Sequence, residues 1–167
     1  MNLIACVDKN YGIGIDDKIL FRISSDLKYF KEMTNNKVVV MGYNTFLSLP
    51  NSKPLNNRIN IIVTQKNIKI DNAIVVNSIS KLFSELKNYK TQDIFVIGGE
   101  QIYKELIDYC ELAYITNVNK VTNANKFAPN LDRMENWKQI KASNKYFDND
   151  LEYVFITYKN LNPKKYI

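Results

Sequence analysis

Residues 94–107 of the chain read IFVIGGEQIYKELI. They begin with a continuous apolar run of strand length, continue through two glycines, and end with apolar residues at the spacing of an amphipathic helix. A continuous apolar run, rather than an alternating one, is typical of a strand that is covered on both faces of a parallel sheet. This stretch therefore predicts a buried strand, a tight turn and a helix, which together form the repeating unit of an α/β fold.

The same alternation of strand and helix continues before this stretch, and only the last third of the chain departs from it. There, strands follow one another with only loops between them, so we expect antiparallel strands at the C-terminal edge of the sheet. We predict an α/β fold in a single domain, residues 1–167, with a mixed, mostly parallel sheet of eight strands and about four flanking helices. The predicted strands are residues 3–7, 37–42, 58–64, 73–76, 94–97, 112–118, 137–142 and 151–158, a long polar loop covers residues 8–17, and the predicted helices begin near residue 24 and span residues 44–49, 80–86 and 100–107.

The composition excludes several classes of chemistry. The 167 residues include no histidine, which removes Ser-His hydrolysis and His-bound zinc, and we predict no metal site. The net charge of +6 favours anionic partners, but the basic residues are scattered and no nucleic-acid-binding signature accompanies them. No apolar run approaches the roughly 20 residues that a membrane helix requires. We therefore expect neither nucleic acid nor a membrane among the partners.

The two cysteines and the first residues of the chain indicate a reducing compartment. Cys6 and Cys110 lack the neighbours of a metal or redox motif, so we interpret both as structural thiols. The apolar run of residues 2–7 stops at Asp8 and has no basic start, unlike a signal peptide. We expect a cytoplasmic protein.

Asp26 is an acidic residue on a predicted apolar helix face. Because its neighbours on that face are apolar, the carboxyl group is expected to turn toward a pocket or the core. Burial would raise the pKa of this group and the positive end of the helix would lower it, so Asp26 is a candidate for proton chemistry. The alternative is that Asp26 only caps a helix that Ser24 and Ser25 open. The apolar face comprises Ile23, Leu27, Phe30 and Met33.

Ligands of an open parallel sheet lie beyond the carboxyl ends of the strands. Three segments meet that rule: the long loop with Asp26, residues 41–45, and residues 95–101. Two glycines between a strand and a helix let a ligand touch the backbone, and free amide groups there attract phosphate, although Gly98-Gly99 alone is equally compatible with a plain turn. The chain lacks both the G-x-G-x-x-G fingerprint and the triphosphate-binding loop motif, so neither a usual Rossmann domain nor a nucleotide triphosphatase is favoured.

Taken together, these segments resemble the dihydrofolate reductase family along nearly the whole chain. Residues 20–31, LFRISSDLKYFK, are similar to the end of the family's mobile loop and its substrate helix, and residues 96–99, VIGG, are similar to its cofactor turn. The resemblance implies NADPH-dependent reduction of 7,8-dihydrofolate to 5,6,7,8-tetrahydrofolate by hydride transfer, which supports one-carbon, thymidylate and purine metabolism. Further similar segments are residues 4–6, 12–14, 40–42, 54–55 and 114–116, with Thr45, Arg58 and Tyr103.

The resemblance also implies roles for individual residues. Asp26 would bind the pterin ring and assist its protonation, with Thr116 and Phe21 completing the catalytic set. Arg58 would hold the glutamate carboxylate of the substrate through two parallel hydrogen bonds. The remaining substrate-binding residues would be Ile4, Cys6, Leu27, Phe30, Lys31, Leu49, Leu55 and Ile97. The cofactor-binding residues would be Ala5, Ile13, Gly14, Gly42, Tyr43, Asn44, Thr45, Thr64, Gln65, Gly98, Gly99, Glu100, Gln101, Ile102 and Tyr103, with the Gly98-Gly99 peptide cis.

Several positions near the expected cofactor depart from the family's pattern. Tyr43 and Asn44 replace the basic residues often found there, and Gln101 stands where Arg is common. Fewer cations would then face the cofactor phosphates, although Gln65 and Lys66 could compensate. We expect a moderate preference for NADPH over NADH.

The mobile loop also departs from the pattern at two positions. Phe21 stands where the family usually has Trp, which removes an indole donor. The acidic residue expected near Asn125 is missing, so we expect a support of the mobile loop to be absent.

Other functions remain open at this point. A pyrimidine reductase of riboflavin synthesis shares the fold and the cofactor, but the helix at residues 26–31 and Arg58 favour folate. A protein that retains the fold without turnover, or a basic nucleic-acid binder, belongs to another class, and affinity that falls steeply with salt would identify the latter. We expect dihydrofolate and antifolate inhibitors as ligands, and a monomer.

Overall fold

A computed structural model describes residues 1–166, and its elements follow the predicted alternation. Within this part of the chain the α-helices are α1 (Ser24–Thr34), α2 (Tyr43–Ser48), α3 (Ile79–Leu86) and α4 (Glu100–Leu106). The strands are β1 (Asn2–Val7), β2 (Gly12–Ile15), β3 (Lys18–Ile19), β4 (Val38–Gly42), β5 (Ile59–Val63), β6 (Ala73–Val76), β7 (Ile94–Gly98), β8 (Leu112–Val118), β9 (Lys126–Phe127), β10 (Trp137–Ala142), β11 (Tyr146–Asp148) and β12 (Leu151–Asn160). Short 3-10 helices cover Pro50–Ser52, Thr91–Asp93, Ile107–Tyr109 and Leu131–Arg133.

The main sheet confirms the predicted mixed architecture. Its strand order is β10-β12-β8-β1-β7-β4-β5-β6, and the short β11 pairs with β12 as an addition to these eight strands. Strands β8, β1, β7, β4, β5 and β6 are parallel to one another, whereas β12 pairs antiparallel with both β8 and β10. The antiparallel strands therefore lie at the C-terminal edge, and β1 lies near the centre of the sheet.

The two faces of the sheet are covered by different helices because neighbouring residues of a strand point to opposite faces. Val40 of β4 belongs to the large core cluster that includes Leu82 of α3 and Leu106 of α4. Its neighbour Met41 faces the other way and packs with Phe46 of α2. A continuous apolar strand is thus buried on both sides, as the sequence pattern predicted.

The prediction of a long polar loop after β1 is wrong. Residues 12–19 form β2 and β3, which join β9 in a separate three-stranded sheet of order β3-β2-β9. The pairs that hold it together include Gly12 with Phe127 and Gly14 with Lys126. These strands have two to four residues, too few to show the period-two pattern that marks a strand in a sequence. The expectation of loops alone between the last strands is wrong for the same reason, since β9 and β11 lie there.

α1 begins at Ser24 as predicted, but the caps of α1 and α2 differ from prediction. α1 has Ile23 at its N-cap, rather than Ser24 or Ser25, and α2 has Gly42 there. The predicted helix from residue 100 ends at Leu106 and continues only as a 3-10 turn. Within residues 1–166, the longest helix, α1, has 11 residues, and no helix is long and apolar enough to cross a membrane.

Candidate active site

The candidate site lies at the edge of the sheet where the parallel strands end. β1 and β8 pair in a register that sets Cys6 opposite Thr116, and β4 and β7 end at Gly42 and Gly98. The carboxyl ends of parallel strands point in one direction, so these residues share one edge. Residues far apart in the sequence are thereby brought together.

Asp26 of α1 reaches this edge and bonds to β8. The Thr116 hydroxyl donates a hydrogen bond to Oδ1 of Asp26 at 2.5 Å, and Thr116 is only 2% exposed. Burial raises the pKa of Asp26, and this outweighs the lowering that hydrogen bonds from Thr116 and Cys6 produce. The pKa of the Cys6 thiol is raised well above its usual range by burial and by the negative charge of Asp26. Asp26 is therefore a shielded acid that takes up a proton more readily than an ordinary aspartate.

The position of Asp26 decides against the capping interpretation. The N-cap residue is Ile23, whose side chain is apolar, and Asp26 is engaged with Thr116 instead. The hydroxyl of Ser25 pairs with that of Tyr153 on β12. The expected apolar face is only partly correct, because Leu27 is 44% exposed on a side of α1 that its neighbours leave open. Of the residues of α1, Thr34 is the buried one.

One end of the site carries the predicted carboxylate-binding residue, Arg58. Its Nε donates to the Thr34 hydroxyl at 3.1 Å and its Nη1 to the Asn56 carbonyl at 2.8 Å. The guanidinium carbon lies 6.0 Å from the centre of the Phe30 ring, within the range of a cation–π contact. A surface depression of about 550 Å³ opens beside Arg58 and Leu55. A cationic fork is thus held over an aromatic ring at the end of α1.

Apolar residues predicted to wall the substrate pocket gather around the same face of the sheet. Leu49, Leu55 and Ile97 are partly buried against the cluster formed around Met41 and Phe46. Ile4 on β1 is buried, with 6% exposure, and its carbonyl accepts a hydrogen bond from the Tyr103 hydroxyl at 2.7 Å.

The turn between β7 and α4 is a tightly packed part of the expected cofactor site. The Gly98-Gly99 peptide is cis, as the resemblance implied, and Gly98 has a φ of 116° that favours glycine. A Cβ on Gly98 would lie 3.1 Å from the Tyr103 ring, and one on Gly99 would lie 3.1 Å from the Thr45 hydroxyl. A side chain at either position would therefore push apart the segments that meet at this turn. A Cβ on Gly42, at the end of β4, would likewise lie 3.2 Å from the side chain of Ile102 on α4.

Other predicted cofactor residues make separate contacts of their own. The Lys66 ammonium group lies 4.7 Å from the centre of the Tyr43 ring, and the Lys66 amide donates to the Thr64 hydroxyl at 3.2 Å. Gln101 points along α4, where its side-chain amide donates to Glu105 at 2.8 Å. Ala5, Ile13 and Gly14 lie on β1 and β2, with Ala5 and Gly14 buried, whereas Lys31, Asn44 and Gln65 are exposed.

The segment after β1 that was expected to be the mobile loop is held by contacts that the sequence analysis did not predict. Phe21 is partly buried and packs against the cluster of Ile23, Val118 and Tyr153. The expected absence of a loop support near Asn125 is wrong. The Asn125 amide donates to the Gly14 carbonyl at 3.0 Å, and its side chain exchanges hydrogen bonds with the backbone and side chain of Asp16. A neutral amide can both donate and accept, so it holds the loop without an acidic residue.

The sequence reasoning missed Asp8, which anchors the start of the same loop. Asp8 is 1% exposed and accepts four hydrogen bonds, from the amides of Asn10, Gly12 and Thr122 and from the Thr122 hydroxyl. Burial raises the pKa of Asp8, but these hydrogen bonds prevail and lower it overall. The signal available in the sequence was an acidic residue directly after a buried strand and before a glycine.

A shielded acid and a glycine turn at the same edge of a parallel sheet indicate an α/β protein that binds small ligands and nucleotide cofactors beyond the carboxyl ends of its strands. A family model described as Dihydrofolate reductase matches residues 1–160. The dihydrofolate reductase of Buchnera aphidicola subsp. Acyrthosiphon pisum is 34% identical over 157 residues, which are 93% of this chain and 96% of the relative. That of Bacillus subtilis is 30% identical over 168 residues, covering 99% and 97% of the two chains.

The solved structures agree with this result. The structure of dihydrofolate reductase from Enterococcus faecalis complexed with NADP(H) and RAB-propyl superposes with a TM-score of 0.85 at 26% identity, covering 95% of each chain. The chain belongs to the dihydrofolate reductase family.

Proposed function

We propose that the chain reduces 7,8-dihydrofolate to 5,6,7,8-tetrahydrofolate with NADPH, and that Asp26 is its proton-handling residue. The observation that carries the proposal is the contact between Asp26 and Thr116 inside the edge of the sheet. Membership of the family supplies the reaction, and the contact supplies the acid that the reaction needs.

Asp26 acts on the heterocyclic ring of the substrate. Its carboxyl group presents two oxygens to an amidine-like edge, a planar pairing that fixes the ring in orientation. Because burial raises the pKa of Asp26, the group exchanges a proton closer to neutral pH than an exposed aspartate would. The proton goes to a ring nitrogen, and the adjacent ring carbon accepts the hydride. Thr116 fixes the carboxyl orientation through its hydroxyl hydrogen bond.

Arg58 binds the other end of the substrate. Its Nε and Nη1 are already bonded within the protein, which holds the guanidinium plane in place over Phe30. A preorganised guanidinium binds a carboxylate with less loss of side-chain entropy than a flexible ammonium group. Arg58 contacts α1 at Thr34, eight residues after Asp26, so the ring-binding end and the carboxylate-binding end lie about 12 Å apart along the helix axis.

The residues around the Gly98-Gly99 turn fit NADPH. Glycine at both positions brings the backbone close to a ligand, and the Thr45 hydroxyl lies beside it. Lys66 supplies a cation next to the Tyr43 ring, where the usual basic residues are missing. NADPH, when bound, supplies the hydride from its nicotinamide ring. Lys66 accounts for the moderate preference for the phosphorylated cofactor.

The proposal includes a monomeric, cytoplasmic protein that binds antifolate inhibitors. Residues of one chain supply the acid, the guanidinium and the glycine turn, which supports a monomer with a complete site. Cys6 and Cys110 are both free thiols in the described residues, which supports a cytoplasmic location. Antifolate inhibitors would occupy the same site beside Asp26. Light scattering after gel filtration measures the monomer mass, for which 19.5 kDa is expected.

Absorbance at the nicotinamide band tests the reaction directly. The parent protein should oxidise NADPH when dihydrofolate is added and not before. Asp26→Asn should lose about 100-fold or more in turnover at neutral pH, which is the lower range for a general acid or base, with its circular dichroism spectrum unchanged. Asp150→Asn, an exposed carboxyl group in a loop, serves as the matched control and should retain full turnover. Turnover of a riboflavin-pathway pyrimidine instead of dihydrofolate would establish the other reductase, and binding of both ligands without turnover would contradict an enzyme.

A further inference from the structure

Glu100 lies directly after the Gly98-Gly99 turn, and its side chain points away from the turn toward the small sheet. Its Oε1 accepts a hydrogen bond from the backbone amide of Phe127 at 3.0 Å. Lys104, one turn further along α4, lies 3.8 Å from the same oxygen. The carboxylate therefore joins the first residue of α4 to strand β9.

Strand β9 carries this connection onward to the loop that follows β1. Phe127 is paired with Gly12 of β2, and the next pair joins Lys126 with Gly14. The amide of Asn125 donates to the carbonyl of Gly14 at 3.0 Å, which extends the ladder by one bond. The Glu100 side chain and the backbone pairs of β9, whose register shifts between Gly12 and Gly14, thus connect the start of α4 to β2.

The ion pair with Lys104 does not account for the position of Glu100. The Lys104 side chain is 58% exposed, and pairs four residues apart on a helix surface contribute little to stability. A carboxylate at this position is also unfavourable for a neighbouring phosphate group, because like charges repel. The hydrogen bond to Phe127 is the contact that gives the side chain its direction.

We propose that Glu100 is a positioning residue that couples NADPH binding at the Gly98-Gly99 turn to ordering of the small sheet β3-β2-β9. The inference rests on the proposed function only in placing NADPH at that turn. A bound ligand that fixes the turn also fixes the first residue of α4, and the Glu100 carboxylate transmits this to the Phe127 amide. Coupling of this kind is reciprocal, so ordering of the small sheet raises NADPH affinity by the same factor. The small sheet carries Ile13 and Gly14 toward the reacting end of the cofactor.

Hydrogen exchange measured by mass spectrometry, with and without NADPH, tests this coupling apart from turnover. In the parent protein, NADPH should slow exchange in peptides covering residues 12–15 and 126–128. In Glu100→Ala the acceptor is gone, so the slowing should shrink by about three- to tenfold, the effect of one net hydrogen bond. The NADPH dissociation constant should rise by the same factor. In Glu100→Gln the amide oxygen still accepts, so the slowing should remain and NADPH should bind at least as tightly as in the parent.

Glu105→Gln is the matched control, because it removes one negative charge from the same helix and keeps the acceptor for Gln101. It should leave the exchange pattern as in the parent. Cofactor-induced slowing of equal size in Glu100→Ala and the parent would overturn the coupling, as would equal loss in Glu100→Ala and Glu100→Gln. Absence of slowing in the parent at saturating NADPH would also overturn it. NADPH-dependent slowing in a parent that does not reduce dihydrofolate would instead contradict the proposed function and leave the coupling intact.

Discussion

Thr116→Val removes the hydroxyl that donates to Asp26 while keeping a β-branched side chain of similar size. The bond is 2.5 Å long and Thr116 is 2% exposed, so water does not readily replace the lost donor. A hydrogen bond to a charged group contributes about 1.5–3 kcal/mol, and 1.4 kcal/mol corresponds to a factor of ten in an equilibrium. Because the hydroxyl stabilises the ionised carboxylate, its loss should shift the protonation equilibrium of Asp26 about tenfold or more toward the acid. The pKa of Asp26, already raised by burial, should rise further.

Single-turnover hydride transfer measured across pH checks this prediction. The rate should fall as pH rises through the pKa of Asp26, and in Thr116→Val this fall should occur at higher pH. Urea unfolding should show a loss of about 1.5–3 kcal/mol above that pKa and a smaller loss below it, because the missing bond favours the ionised form. Thr116→Ser keeps the donor and should retain the parent profile. An unchanged pH midpoint in Thr116→Val would refute the assigned role of the hydroxyl.

Three further predictions concern other residues of the site. The folded-state pKa of Asp26 is raised above its usual value of 3.8, so ionisation of this group above that pH destabilises the folded protein. Asp26→Asn should therefore be more stable toward urea at pH 7, by on the order of 1 kcal/mol per pKa unit, and this gain should disappear below about pH 3.8. Equal stability of the two proteins at pH 7 would contradict the burial argument. Arg58→Lys loses the planar guanidinium and should raise KM for dihydrofolate about tenfold with little change in kcat, as measured by steady-state kinetics. A change confined to kcat would contradict the role of Arg58 in binding the substrate carboxylate. Lys66→Gln should reduce the ratio of kcat/KM for NADPH to kcat/KM for NADH about two- to fivefold, the range of one exposed ion pair. Lys69→Gln, at an exposed position nearby, should leave this ratio unchanged. An unchanged ratio in Lys66→Gln would show that Lys66 does not contribute to the cofactor preference.

The parallel strands of the main sheet could be predicted because they are mostly apolar runs bounded by polar residues. Residues 73–76 and 112–118 form strands with the predicted bounds, as do residues 137–142 of the exposed edge strand, which is not such a run. Burial on both faces leaves no alternation to confuse with a helix, and strand length separates the two. The strand order required the tertiary structure, since the sequence does not say which parallel strand pairs with which.

The small sheet could not be predicted, because its register is set by distant partners. Gly12 of β2 pairs with Phe127 of β9, more than a hundred residues away, and neither strand is long enough for a hydrophobic pattern. The caps of α1 and α2 were mispredicted for a different physical reason. Ser25 had a partner in Tyr153 that competes with capping, and Gly42 begins α2 without any capping side chain.

The candidate site was only partly contained in local patterns. An acid on an apolar helix face could be recognised from spacing, but its bond to Thr116 crosses 90 positions of sequence and depends on the pairing of β1 with β8. Glu100 illustrates the opposite case. Its sequence position beside the glycines suggested contact with the cofactor, whereas its side chain is bonded to Phe127 on the small sheet.

Two acids near the end of β1, the buried Asp8 and the partly buried Asp26, show how hydrogen bonding separates a structural carboxylate from a reactive one. Asp8 receives four hydrogen bonds, and together they lower its pKa, so it remains ionised and holds the loop. Asp26 accepts fewer, from Thr116 and Cys6, and burial prevails, so its pKa is raised. Titratable groups whose surroundings move their pKa values apart are assigned different roles on that basis. The incompletely satisfied acid is the one left with bonding capacity for a ligand, and for this reason Asp26, and not the more deeply buried Asp8, is the residue that can exchange a proton with a substrate.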